Sequence, residues 1–124
     1  FSVFKALNNK LLASTMRSTY EANYAKAAQQ YFEKISLTVD LDQIILARKA
    51  INQIDALDKL NRVTVPALVI VGADFGQSFI AINRKIADAL PNAKFVILEH
   101  SIDPSNLVNP ADFNLHVLRF LKRT

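Results

Sequence analysis

The chain contains no cysteine and no tryptophan, and only two glycines, four prolines and two histidines among its 124 residues. Without cysteine there is no disulfide framework, no thiolate metal site and no thiol nucleophile. That leaves the compartment open, with the cytoplasm as the default expectation. The two histidines and the scattered carboxylates show no ligand spacing, so no metal is expected. The scarcity of glycine rules out a phosphate-cradling loop and the dinucleotides it would hold, and no cofactor is expected. No apolar run approaches the roughly 18 residues that a membrane-spanning helix needs, and no basic-then-apolar leader is visible. No membrane partner is expected.

What is present argues for a folded protein. Hydrophobic residues make up 51% and charged residues 21%, which excludes intrinsic disorder. The length leaves room for one ordinary domain core. The net charge of +4 invites a nucleic-acid reading, but its distribution argues against one. Residues 1–60 carry eight basic and six acidic side chains and residues 61–124 carry seven and five, so neither half concentrates a basic face. The first residue is Phe1 rather than Met, so the chain reads as a fragment, a processed product or a trimmed form.

The first sixty residues contain neither Gly nor Pro and are rich in Ala, Leu, Lys and Gln, which predicts helix throughout. From about Thr19 to Ile35, Tyr20, Tyr24, Ala27, Ala28, Tyr31 and Ile35 recur at helical spacing and predict one packing stripe. A further helix is expected after Asp40, a candidate N-cap, with Leu41, Ile44, Ile45, Ala47, Ile51 and Ile54 as its buried face. The texture changes at residue 61. The run Val65-Pro66-Ala67-Leu68-Val69-Ile70-Val71, closed by Gly72, predicts a strand buried on both faces. A helix is expected over Ser78 to Leu90 on Phe79, Ile82, Ile86 and Leu90, then a second strand over Lys94 to Glu99. Asn109-Pro110 opens a last helix, with Phe113, Val117, Phe120 and Leu121 facing inward and Lys122 and Arg123 suiting its dipole.

The strands so ordered should be parallel, and two parallel strands are too few for a stable sheet. Self-association, or pairing with a missing N-terminal core segment, is the expected remedy.

The second half resembles the end of the α/β-hydrolase fold. Val65 to Gly72 is similar to the strand that leads to that family's catalytic acid. Ala89-Leu90-Pro91-Asn92-Ala93 with the strand at Phe95 to Leu98 resembles the approach to its histidine. Asn109-Pro110-Ala111-Asp112-Phe113-Asn114 with Val117, Phe120 and Leu121 resembles the closing helix of the esterase, lactonase and carbon–carbon hydrolase branch. Ile54-Asp55-Ala56-Leu57-Asp58-Lys59-Leu60 is similar to the exit from that branch's helical cap. The resemblance implies an incomplete doubly wound parallel α/β sheet of the hydrolase type, with residues 1–60 helical and cap-like and residues 61–124 the end of the core.

It also implies a nucleophile, an acid and a histidine acting as one unit. The Gly-x-Ser-x-Gly elbow is absent, since Gly occurs only at 72 and 76. Counted without gaps, the acid position is Phe75 and the histidine position is Asp103, and Val108 stands where a Glu commonly precedes the closing Pro. Asp74 is one place early and His100 three places early, and they are the catalytic candidates if the loops are locally shifted. Without such shifts, Asp74 is a loop carboxylate, His100 an imidazole at the strand end with its ring set by the pleat, Asp103 a turn residue before Pro104, and His116 a surface residue.

Two functions follow. Either the parent protein hydrolyses a small ester, lactone or amide, this chain alone being inactive, or the chain is a triad-less binding or scaffold domain. A small-molecule ligand suits both.

Overall fold

The computed structural model describes residues 2–122, with side chains described from residue 6 onward. Arg123, named above for the helix dipole, lies outside the described residues. In place of one core, the chain forms two compact units, Phe1–Asp55 and Ala56–Thr124.

The first unit is helical. Helix α1 (Ser2–Thr19) packs against α2 (Lys26–Ser36), and α3 (Leu41–Ile51) follows. The expected helix starting near Thr19 is corrected: residues 20–25 turn the chain, with a short 3₁₀ segment at Asn23–Ala25. The physical reason is packing. Tyr20 is buried and its ring stacks on Phe32 at 4.9 Å, and Ala25 is fully buried, so the break is held by tertiary contact with no Gly or Pro. The buried residues here are therefore Tyr20, Ala25, Ala28, Gln29 and Ser36, while Tyr24 and Tyr31 are exposed. Buried amides close the unit. Asn9 Nδ2 donates to the carbonyls of Ser36 and Val39 at 2.8 and 2.9 Å, and Gln29 Nε2 donates to that of Arg17 at 2.7 Å.

Asp40 caps α3 as expected, its carboxylate accepting the amides of Asp42 and Gln43 at 3.0 and 3.4 Å. The expected buried face of α3 is corrected. None of its residues is buried, and Ile44, Ile45 and Ile51 are 43%, 53% and 56% exposed.

The second unit holds the sheet. Strand β1 (Ala67–Gly72) pairs in parallel with β2 (Ala93–Leu98), in register from Ala67 with Ala93 to Gly72 with Leu98. Helix α4 (Gln77–Ala89) connects them and packs on both, while α5 (Ser105–Val108) and α6 (Pro110–Leu121) pack on β1. Phe79 and Ile86, expected on the inner face, are half-buried, Ile82 is 55% exposed, and Ala87 is the buried residue of the helix. Val71, Val96 and Leu98 are buried, whereas Leu68, Val69 and Ile70 are only half-buried.

The chain exposes 8960 Å². The sheet has two strands among the described residues, and its outer edges meet no further strand there. No helix among them is long and apolar enough to cross a membrane.

Candidate active site at the carboxyl ends of the strands

In open α/β sheets, ligands bind in the crevice beyond the carboxyl ends of the strands. Here those ends are Gly72 and Leu98, and both sequence candidates stand just past them.

After Gly72 the chain makes a single 3₁₀ turn, Ala73–Phe75, which carries the exposed Asp74. Phe75 lays its ring against Phe79 at 4.4 Å between centroids, so its side chain is committed to the start of α4. Gly76 has φ +104°, a backbone that glycine adopts without strain, and its carbonyl accepts the first amides of α4 from Phe79 and Ile80 at 3.1 and 3.2 Å.

After Leu98 the expected geometry of His100 is corrected. It does not continue the strand, and the sheet pleat does not direct its ring. Glu99 and His100 form a turn, and His100 has φ +50°. Histidine is among the residues that tolerate this left-handed region. The turn is held on both flanks: Asn109 Nδ2 donates to the Glu99 carbonyl at 3.2 Å, and the Asp74 amide donates to the Ser101 carbonyl at 3.0 Å. An extended strand would have carried residue 103 about 10 Å beyond residue 100.

The backbone bond between Asp74 and Ser101 joins the two loops, bringing position 74 beside the residue that follows His100. His100, like Asp74, is exposed. Asp103 is half-buried and its carboxylate accepts the Ser105 hydroxyl at 2.9 Å, at the entrance to α5. Val108 is buried in α5, and His116 is half-buried on α6, where a surface residue was expected.

Two features of the site were missed by sequence reasoning. Ser101 is fully buried, and its Oγ has no hydrogen-bond partner among the described residues. Asn109 does more than open a helix, because it also anchors the His100 turn. The Asn-Pro pair signalled the helix start, but nothing local signals a contact ten residues back.

The chain matches no protein-family model. Over 98% of its length it superimposes on MenH from S. aureus with a TM-score of 0.69 and 17% identity, covering 52% of that protein. MenH has the α/β-hydrolase fold. This chain carries part of an α/β-hydrolase fold.

The hydrolase fold is supported from sequence as well. Over 100 residues, 81% of the chain, it is 29% identical to the protein named carbamate hydrolase RutD of Pseudomonas syringae pv. syringae strain B728a. The same figures hold for RutD of Pseudomonas savastanoi pv. phaseolicola strain 1448A. The chain spans 39% of the length of these curated relatives. Its parallel β1 and β2, joined through α4, are the piece of the hydrolase-fold sheet that it holds.

Proposed function

We propose that the chain is the cap and the carboxyl-terminal core of a hydrolase acting on a small ester, lactone or amide, with the nucleophile supplied from outside it. Carbamates, named for two relatives, fall within that chemistry. On this reading residues 1–60 form the cap and residues 61–124 the end of the core. His100 takes the proton of the nucleophile and later gives it to the leaving group, and Asp74 orients and steadies the resulting imidazolium. The observation that carries the reading is the bond from the Asp74 amide to the Ser101 carbonyl, which ties the loops of the two candidates together.

The chain alone has no positioned nucleophile, so it is expected to be inactive. Its open sheet edges favour self-association or union with an N-terminal core segment. The sequence encoded upstream of Phe1 tests the proposal first: a Gly-x-Ser-x-Gly elbow there supports it.

The second reading, a triad-less binding or scaffold domain, draws on Phe75 and Asp103, which stand at the ungapped acid and histidine positions. An upstream segment without a nucleophile elbow favours it.

A further inference from the structure

We infer that Gly72 is a positioning residue: the absence of a side chain there sets the spacing between the loop carrying Asp74 and the loop carrying His100. This rests on the reading of those two residues as acid and base.

A Cβ at position 72 would lie 2.3 Å from the Ser101 carbonyl oxygen, 2.6 Å from its carbon and 2.8 Å from the Ile102 Cα. All three are backbone atoms, so no side-chain rotation relieves the contact. Ordinary contact begins near 3.4 Å, so even a methyl group requires the two loops to part by about 1 Å.

The surroundings decide where that movement falls. Gly72 is fixed on one side by its register with Leu98, and the Asn109 side chain holds Glu99. The residues left to give way are 100 to 102. Ser101 is fully buried, and its carbonyl accepts the Asp74 amide, so shifting it either breaks that bond or drags Asp74 along. The same methyl therefore disturbs both loops. Catalytic constellations need placement within about 0.5 Å, and a misplacement of about 1 Å can cost 10²-fold in rate.

The second glycine makes the contrast. Nothing lies within 4 Å of a Cβ at Gly76, where φ of +104° is the reason for glycine. A methyl at 76 strains its own backbone without pressing on Ser101.

The first arm of the test needs no substrate. In the full chain, G72A is expected to move the ring resonances of His100 while those of His116 stay in place, and G76A should leave both unchanged. A G72A chain with unshifted His100 resonances overturns the inference. Should G72A fail to fold, hydrogen exchange on the unaltered chain decides. The Asp74 amide is expected to exchange about 10²-fold or more slowly than an open amide, and an unprotected amide overturns the inference. In the parent hydrolase, G72A is expected to lower kcat by about 10²-fold with KM within about twofold. An unchanged kcat overturns the positioning role. A wild-type parent without activity removes the hydrolase reading instead, and the resonance result still stands or falls alone.

Discussion

Asn109 reaches from the start of α6 to the carbonyl of Glu99, 3.2 Å away, and so ties the last helix to the turn that carries His100. The same side chain caps that helix, its Oδ1 accepting the Asp112 amide at 3.3 Å, and Nδ2 also meets the Asp112 carboxylate at 3.0 Å. Capping and turn anchoring are each modest contributions. Asn109→Ala should remove both and destabilise the chain by about 1–2 kcal/mol. Urea denaturation followed by circular dichroism measures this, and an unchanged midpoint would show that the anchor contributes nothing.

Ser101 leads to the opposite sign. A fully buried hydroxyl with no hydrogen-bond partner among the described residues keeps its desolvation cost and gains no bond in return. Ser101→Ala keeps the shape of the site and removes that cost, so it should stabilise the chain by about 1 kcal/mol. A loss of stability instead would mean that the hydroxyl is satisfied in solution.

The helical unit carries a pH dependence. The hydrogen bond from Arg17 holds the Glu33 carboxyl below its ordinary value, with the Arg17 and Lys26 charges adding to the effect and desolvation opposing it. A carboxyl depressed in the folded state stabilises above its unfolded value, and that contribution is lost as pH falls through the folded one. The pair is at the surface, so the contribution is small and is weakened by salt. Thermal melts of the chain and of Glu33→Gln should differ near neutral pH and converge on acidification. A constant difference down to strong acid would contradict the assignment.

Exposed apolar surface predicts association. On α6, Leu115 and Leu118 are 42% and 56% exposed and Leu121, expected to face inward, is 60% exposed, and neither strand has a second strand neighbour among the described residues. Sedimentation of the chain at increasing concentration should show dimers or larger species. A well-folded monomer at every concentration would be the contrary result.

The strands were the most legible part of the sequence. The apolar run from Val65, with Pro66 near its start, placed β1 within two residues of Ala67–Gly72, and Lys94 to Glu99 is offset by one residue from β2. The helical half was less legible because its break is tertiary: Tyr20 on Phe32 and a buried Ala25 end one helix and start the next where no helix breaker stands. Spacing likewise marked an apolar face on α3 but could not say whether anything covers it. At the site, a glycine at a strand end and a histidine three residues from the counted position were visible. The turn at Glu99 and His100 was not, because it is held by Asn109 and Asp74 from distant parts of the chain.

The most direct test of the central claim is an esterase assay on this chain joined to its own upstream sequence, with Asp74→Asn and His100→Gln variants alongside. Saturable hydrolysis of a p-nitrophenyl ester is expected, blocked by a serine-directed phosphonate and lowered by about 10³-fold or more in each variant. Activity that survives both substitutions would place the acid and base elsewhere and contradict that claim.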